Sequence, residues 1–246
     1  GLLKRVYKES LGVDIPTPFP RMTWKEAMDQ YGSDKPERRF GMKLTDVSSI
    51  FENSGFKVFA SAVQNGGVVK AINAKGFGTA SVGQIDTLTK TAVEAGAKGL
   101  AYIKVREDDW RSPISKFLSE EEKQKLTETL DIETGDLVLF AAGPWEPSCD
   151  ILGRVRLQCA EFMELLKDNK ERDFLWVIEF PLVGWDEEEQ RWVAIHHPFT
   201  RPVKEDEQKL LSGELSADLR AQAYDVVLNG TELGGGSIRI HEQIGR

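Results

Sequence analysis

Two carboxylates near the end of the sequence, Asp225 and Glu232, have the chemistry of a cation site. They are seven positions apart, across the end of a predicted helix and the turn that follows it. Mg²⁺ in proteins takes one or two carboxylates and completes its shell with water and phosphate oxygens. The pair therefore suits a divalent metal held together with a phosphate compound. Taken alone, however, the two residues favour solvated acidic side chains on a helix surface.

The segment after these carboxylates combines bare backbone with a guanidinium group. Three consecutive glycines, Gly234, Gly235 and Gly236, stand at the entry to a predicted strand. Glycine lets a ligand approach the backbone closely, at an entropic cost. Arg239 lies two residues beyond Ser237 on one face of that strand, and its planar fork suits bidentate recognition of a carboxylate. These features fit a site that binds a metal-nucleotide beside an acidic small molecule.

Two adjacent histidines, His196 and His197, follow the end of a predicted strand and precede Pro198. Side chains at the end of a strand can reach a cleft, where an imidazole could contact an anionic ligand. Adjacent side chains on an extended chain point in opposite directions, however. The residues alone therefore favour packing or simple exposure of the pair over contact with a ligand.

Glu179 interrupts an apolar run over residues 174–180 that is typical of a strand buried on both faces. A buried carboxylate costs several kcal/mol unless it is paired. We therefore expect Glu179 to have either a partner or a function.

The elements that position these residues are predicted from periodicity and capping signals. Thr23 and Glu26 form a capping box that starts a short helix, and Gly32 ends that helix. Further along, the pattern predicts strands over residues 174–180, 191–195 and 237–241, and helices over residues 153–166 and 217–229.

The middle of the chain reads as an α+β module of about a hundred residues. Its Gly-Phe-Gly-Thr-Ala-Ser segment, residues 76–81, lacks the third glycine of a dinucleotide-binding loop and is interpreted as a structural turn. The predicted strands cover residues 56–63, 68–73, 100–105 and 137–142, with a hairpin-type turn over 65–67 between the first two. The predicted helices are one that opens at Asp86 and one over residues 120–130.

Composition places the chain among ordinary globular proteins. It has 246 residues, 40% of them hydrophobic, and a net charge of −8. At about 100–200 residues per domain, this length predicts one or two domains. The only cysteines, Cys149 and Cys159, are too few for a disulfide framework or a four-cysteine zinc site, which favours a reducing cytosol. No apolar run is long enough for a membrane span.

The charge distribution argues against a nucleic-acid clamp. The net charge is +3 over residues 1–45, −5 over 46–150 and −6 over 151–246. Proteins that hold nucleic acids through their phosphates carry a stripe of Lys and Arg, and no segment here is basic enough at the level of net charge. If RNA is a partner, we expect most of its contacts to lie elsewhere.

The changes in pattern predict one domain interrupted by another, with residues 1–45 and 151–246 belonging together around an inserted domain at 46–150. The first residues, Gly-Leu-Leu-Lys, contain neither an initiator Met nor a leader, which favours a fragment of a longer protein.

The sequence resembles a known family, the bacterial-type aspartyl-tRNA synthetases of class II. The resemblance is carried by YGSDKPERRF at 31–40, RWVAIHHPFT at 191–200, AYDVVLNG at 223–230 and ELGGGSIRIH at 232–241. Residues 46–150, with VVKAIN, GAKGLAYIKV and SPISKFLSEEE, are similar to the GAD insertion domain of that family. The implied fold is an α+β class II catalytic domain, built on an antiparallel sheet flanked by helices and interrupted by an α+β GAD domain.

The resemblance also implies roles for individual residues. His196 matches the histidine whose loop closes over bound L-aspartate, and Arg239 matches the arginine that pairs with the aspartate side chain. Glu232 matches a carboxylate that binds ATP and Mg²⁺, and Asp225 its metal-binding companion. His197 and the three glycines line the same site with less defined roles. No side chain is expected to act as a nucleophile, because the reaction depends on positioning and charge neutralisation.

The implied reaction joins L-aspartate to ATP, with Mg²⁺, and transfers the aspartyl group to tRNA(Asp). A cytoplasmic homodimer is implied for the whole enzyme, with an organellar matrix as the alternative location. The family's phosphate-binding arginines and its dimer-forming motif have no counterpart in the sequence. The resemblance therefore predicts a fragment that is inactive alone and monomeric.

A second hypothesis of a different class is that the chain is a binding module. A GAD-type domain also occurs in the B subunit of tRNA-dependent amidotransferases, where it would act as a scaffold or an RNA-docking element. Residues 174–246 separate the two hypotheses, because they resemble the synthetase catalytic domain and are not expected in that subunit.

Overall fold

The computed structural model describes residues 1–107 and 109–241. The chain divides into two compact units: a first unit made of residues 1–27, 34–37 and the chain from 171 onward, and a second unit made of 28–33 and 38–170. Both units combine helices with β-sheet, which confirms the α+β class. This division groups residues 38–45 and 151–170 with the second unit, whereas the sequence predicts domain boundaries after 45 and 150. The domain boundaries themselves stay a prediction.

The first unit contains a four-stranded sheet and a separate hairpin. Its helices are α1 (Leu2–Leu11), the start of α2 (Trp24–Tyr31) and α8 (Glu207–Leu211). Its strands are β1 (Arg21–Thr23), β7 (Phe174–Ile178), β8 (Val183–Asp186), β9 (Arg191–Ala194), β10 (Ala223–Leu228) and β11 (Thr231–Ser237). In the sheet, β1 pairs in parallel with β7. Strand β7 pairs antiparallel with β10, and β10 pairs antiparallel with β11. Strands β8 and β9 form the hairpin.

Strand β7 explains the continuous apolar run in the sequence. Leu175 and Val177 belong to one buried cluster and Phe174 to another, so the strand is covered on both faces. The predicted capping box is also confirmed: the Thr23 hydroxyl accepts a hydrogen bond from the Glu26 amide at 3.1 Å, and the Glu26 carboxylate accepts one from the Thr23 amide at 2.8 Å. Gly32 follows α2 directly and has a φ of 65°, as its predicted role at the helix end requires.

Two predictions in the last third of the chain are wrong. The helix predicted over residues 217–229 is strand β10, because Ala223–Leu228 pairs with β7 on one side and β11 on the other. The strand predicted over residues 237–241 runs earlier, as Thr231–Ser237. The three glycines therefore lie inside a strand, and Asp225 projects from a sheet.

The second unit is built on a five-stranded antiparallel sheet in the order β2, β3, β6, β4, β5. Its strands are β2 (Thr45–Asp46), β3 (Val68–Ala74), β4 (Ala101–Val105), β5 (Trp110–Arg111) and β6 (Leu137–Gly143). Its helices are α3 (Ser48–Phe51), α4 (Lys57–Gln64), α5 (Val82–Glu94), α6 (Glu120–Leu130) and α7 (Trp145–Phe162). A cluster of buried aromatic rings, Phe51, Phe59 and Phe140, lies at the centre of its core.

Most predicted elements of this unit are confirmed, namely β3, β4, β6, α6 and the structural turn at 76–81. Helix α5 starts one turn before the predicted Asp86, at a capping box in which Ser81 and Gln84 exchange hydrogen bonds. The strand predicted over residues 56–63 is helix α4 instead, with Phe59 and Ala60 buried along it. The turn over 65–67 therefore joins a helix to a strand and is not a hairpin.

Helix α7 differs from the prediction in both position and partner. The sequence places a helix at residues 153–166 and assigns it to another core, whereas α7 runs from Trp145 to Phe162 and packs on β3, β6 and α5. Among the described residues, no helix is long and apolar enough to cross a membrane.

Candidate functional site

Asp225 and Gly235 face each other across the β10–β11 pair. An added Cβ on Gly235 would lie only 1.8 Å from Oδ1 of Asp225 and 2.9 Å from the carbonyl oxygen of Tyr224. Asp225 therefore extends over the bare backbone of its neighbour. The sequence predicts that a ligand approaches the glycine backbone closely. At Gly235 that space is filled instead by the Asp225 carboxylate of the neighbouring strand.

A break in strand register places the second carboxylate on the same face. Val226 pairs with Gly234, but Val227 pairs with Glu232, which leaves Leu233 without a cross-strand partner. In a regular strand, positions 232 and 235 would point to opposite faces. The extra residue restores them to one face, as a β-bulge does. Glu232 and Asp225 consequently lie on the same side of the sheet.

The charges around Asp225 define the rest of the site. Burial raises the pKa of the Asp225 carboxyl, and the negative charges of Glu232 and Asp34 raise it further, while His196 and Lys35 act in the opposite direction. These charges therefore lie within electrostatic range of Asp225, on the face of the sheet that carries Glu232.

Lys35 forms an ion pair with one of the two strand carboxylates. Its Nζ lies 3.3 Å from Oε2 of Glu232. Its pKa is raised, first by the charge of Asp34, then by the hydrogen bond to Glu232 and the charge of Asp225. From composition, the segment that contains Asp34 and Lys35 is either a solvated loop, which is favoured, or a ligand-facing one. The contacts of Lys35 and Asp34 with the two strand carboxylates support the ligand-facing alternative.

The two carboxylates, Asp225 and Glu232, fit a hard cation that takes most of its ligands from water and phosphate. Asp225 and Glu232 offer oxygen donors on one face, and the mutual repulsion that raises the pKa of Asp225 is what a cation would relieve. Among the described residues there is no group of three or more His, Cys, Asp or Glu placed to hold a metal ion. Two carboxylates suit Mg²⁺ completed by water and phosphate, and do not suit a metal enclosed by protein ligands.

The structure separates the two predicted histidines. His196 is exposed, its ring is edge-on to Phe180 with centroids 5.2 Å apart, and its charge influences Asp225. The Nδ1 atom of His197 accepts a hydrogen bond from the Phe199 amide at 3.1 Å. His196 is therefore within electrostatic range of Asp225, whereas His197 stabilises its own turn.

Arg239 lies just beyond β11, exposed, in the row of alternating positions that contains Gly235 and Ser237. Its Nη1 donates a hydrogen bond of 3.4 Å to Oγ1 of Thr200, and the two residues form an antiparallel bridge. Thr200 is not recognisable as a site residue from the sequence, because a lone threonine carries no signal of its own.

Glu179 is not in the middle of a buried strand. Strand β7 ends at Ile178, and Glu179 follows it with a positive φ of 56° and a partly exposed side chain. The expected partner is present: Nη1 of Arg220 donates a hydrogen bond of 3.1 Å to Oε2 of Glu179. Arg220 also binds the buried carboxylate of Asp206 at 2.9 Å.

Comparison with known proteins identifies first a domain and then a family. Residues 59–152 match the family model of the GAD domain, so the second unit contains a GAD domain. Over 99% of its length the chain is 54% identical to the aspartate-tRNA(Asp/Asn) ligase of Opitutus terrae. Over 98% of its length it is 48% identical to the ligase of the same name from Aquifex aeolicus and 50% identical to the aspartate-tRNA ligase of Clostridium novyi.

The chain is therefore similar to aspartate-tRNA ligases along almost its whole length, which confirms the resemblance noted in its sequence. It corresponds to a segment of them that includes the GAD domain, since it spans only about two fifths of the length of these relatives: 41%, 42% and 40%.

Proposed function

We propose that this chain forms the amino-acid-binding and ATP-binding part of an aspartate-tRNA ligase. The reaction would join L-aspartate and ATP into aspartyl-adenylate and pyrophosphate, and then transfer the aspartyl group to tRNA(Asp). The observation that carries the proposal is the placement of Asp225 and Glu232 on one face of the sheet, with Gly235 opposite Asp225 and Lys35 paired to Glu232.

Each side chain has a role that its chemistry supports. Arg239 offers a planar fork to the side-chain carboxylate of L-aspartate, and His196 supplies a donor from the segment that follows β9. Glu232 and Asp225 would hold Mg²⁺ together with the phosphates of ATP. The bound ion would neutralise charge on the phosphates, and the protein side chains position the two substrates for in-line attack. His197, Gly234 and Gly236 are proposed as flanking residues.

The antiparallel run β7, β10, β11 supports a class II catalytic domain around the GAD insertion. We propose a cytoplasmic homodimer for the complete enzyme, with an organellar matrix as the alternative location. The scaffold hypothesis, based on amidotransferase B subunits, is less well supported, because the ligases match the chain well beyond its GAD domain.

The test is aspartate-dependent ATP–pyrophosphate exchange by the complete gene product that carries this sequence. We expect Arg239→Lys to raise the KM for L-aspartate at least tenfold with little effect on the KM for ATP, because a lysine loses the bidentate contact. We expect Glu232→Gln to impair the use of ATP and Mg²⁺ instead. The proposal fails if the folded wild-type protein exchanges with another amino acid and not with aspartate.

A further inference from the structure

Thr200 is a buried polar residue beside the proposed aspartate site. It is only 3% exposed. Its Oγ1 accepts a hydrogen bond from Nη1 of Arg239 at 3.4 Å and lies 3.3 Å from Oγ of Ser237. Both contacts are made with the row of side chains that ends at Arg239.

Backbone pairing fixes Thr200 against Arg239 on both sides. The amide of Arg201 donates to the carbonyl of Ile238 at 2.8 Å, and the amide of Ile240 donates to the carbonyl of Phe199 at 2.8 Å. These two bonds enclose the antiparallel bridge between Thr200 and Arg239. The threonine hydroxyl is therefore held at a set position relative to the arginine backbone.

The same residue also ends the histidine turn. The Thr200 amide donates a hydrogen bond of 2.9 Å to the carbonyl of His197. Thr200 thus connects the segment that carries His196 to the segment after β11 that carries Arg239, the two residues proposed to bind L-aspartate.

An exposed arginine has many rotamers, and ordering it on ligand binding costs free energy. A guanidinium has five N–H donors. When one of them is held by a fixed hydroxyl, the remaining donors can still receive a carboxylate, and less conformational freedom is lost when the ligand arrives.

We propose that Thr200 is a positioning residue, which holds the Arg239 guanidinium in the orientation that receives the side-chain carboxylate of the amino-acid substrate. The inference rests on the proposed function, because it takes L-aspartate as the ligand of Arg239.

The experiment measures ATP–pyrophosphate exchange by the complete gene product with Thr200→Val, which keeps the shape and removes the hydroxyl. We expect the KM for L-aspartate to rise about tenfold, the effect of losing one hydrogen bond to a charged group, with kcat and the KM for ATP changed less than about twofold. Thr200→Ser, which keeps the hydroxyl, should restore the wild-type KM. Thr87→Val, an exposed substitution on α5, is the matched control.

A double-mutant cycle with Arg239→Lys tests whether Thr200 affects the KM for L-aspartate through Arg239. If Thr200 acts through Arg239, Thr200→Val should add little to the KM for L-aspartate in the Arg239→Lys background. Should the valine variant not fold, Thr200→Ala is compared with Thr200→Ser in the same way.

An unchanged KM for L-aspartate in Thr200→Val would overturn the inference while leaving the proposed function intact. The same holds if the KM for both substrates rises equally, which would indicate a structural role only. A wild-type protein without aspartate-dependent exchange would overturn the proposed function, and this inference with it.

Discussion

The carboxylate of Asp225 and the backbone of Gly235 fill adjacent space, which makes glycine necessary at position 235. A methyl group there would meet Oδ1 of Asp225 at 1.8 Å, whereas one on Gly234 has no atom within 4 Å. We therefore expect Gly235→Ala to destabilise the 246-residue chain by about 1–3 kcal/mol. Gly234→Ala, the matched control, should change stability by less than about 1 kcal/mol. Urea unfolding of both variants measures the difference.

A second substitution shows how much of the destabilisation by Gly235→Ala comes from the Asp225 carboxylate. In the Asp225→Ala background the carboxylate is gone, so Gly235→Ala should cost less than it does in the wild-type chain. The carbonyl of Tyr224, 2.9 Å from the added methyl, sets the part that remains. Equal destabilisation by the two glycine substitutions would contradict this account.

The pKa of Asp206 supplies a pH-dependent prediction. Burial raises this pKa, but hydrogen bonds from the side chain and backbone of Arg220, together with its charge, hold it below the ordinary value. A carboxyl with a depressed folded pKa stabilises the protein above its unfolded pKa of about 3.9, and this stabilisation is lost as the pH falls through the folded value. Asp206→Asn should therefore destabilise the chain at pH 7, and the difference from wild type should shrink at pH values below about 4.

The measurement is the urea midpoint of wild type and Asp206→Asn between pH 7 and pH 3. Asp218→Asn, an exposed substitution in the same unit, should give a midpoint close to wild type throughout. A wild-type advantage over Asp206→Asn that stays constant as the pH falls would show that the ion pair with Arg220 is not its source.

At the residue scale, the sequence indicates the chemistry of a side chain more readily than the residues that lie beside it in the fold. The types of Asp225, Glu232 and Arg239 identify them in the sequence as candidates for cation and carboxylate binding. What places the two carboxylates together is the bulge at Leu233, which depends on strand pairing that a single sequence does not display. Thr200 could not have been found in this way, because only its burial beside Arg239 distinguishes it from other threonines.

Elements were predicted correctly where local signals and tertiary packing agree. The capping box at Thr23 and Glu26 marks the start of α2, and the apolar run of β7 reflects burial on two faces. The sequence predicts a helix at β10 because an alanine-rich stretch precedes it, whereas the strand conformation depends on pairing with β7 and β11. The sequence predicts a strand at α4 because valine and phenylalanine also favour strands.

Helix α7 carries a prediction about packing, because two of its arginines differ sharply in environment. Arg156 is 1% exposed, its guanidinium lies 4.0 Å from the centre of the Phe40 ring, and it donates hydrogen bonds to the carbonyls of Gly41 and Met42. Arg156→Lys removes the planar fork, so it should destabilise the chain by about 2–4 kcal/mol. Thermal unfolding followed by circular dichroism measures the loss.

Arg154→Lys on the same helix is the matched control. Arg154 is exposed and forms a surface ion pair with Asp150, which a lysine can replace at a cost of less than about 1 kcal/mol. If both substitutions lower the melting temperature equally, the burial of Arg156 is not the cause.

Across the whole molecule, the predicted boundary after residue 150 separates α7 from the core on which it packs. A helical pattern shows which face is apolar but not which sheet covers it. Helix α7 packs on β3, β6 and α5, so the second unit extends to residue 170. Residues 38–45 join the same unit, where strand β2 pairs with β3. Which elements form one compact unit depends on the contacts between them, and sequence periodicity does not determine those contacts.

The charge of the whole molecule leads to a prediction about RNA. The chain carries a net charge of −8, and the segment 46–150, which contains most of the GAD domain, carries −5. Non-specific binding to nucleic acid depends on the release of counterions from phosphates by Lys and Arg, with a typical Kd of about 10⁻⁴–10⁻⁶ M at physiological salt even for proteins suited to it. The 246-residue chain should therefore bind tRNA more weakly than about 10⁻⁴ M at 150 mM salt.

Filter binding with labelled tRNA measures this, with the complete gene product as the positive control. At 20 mM salt any weak binding should strengthen only slightly, because few phosphates would be neutralised and the slope of log K against log salt would be shallow. Tight binding by the chain with a steep salt dependence would contradict the charge argument. It would indicate a local basic face on an acidic protein and would favour the RNA-docking hypothesis for the GAD domain.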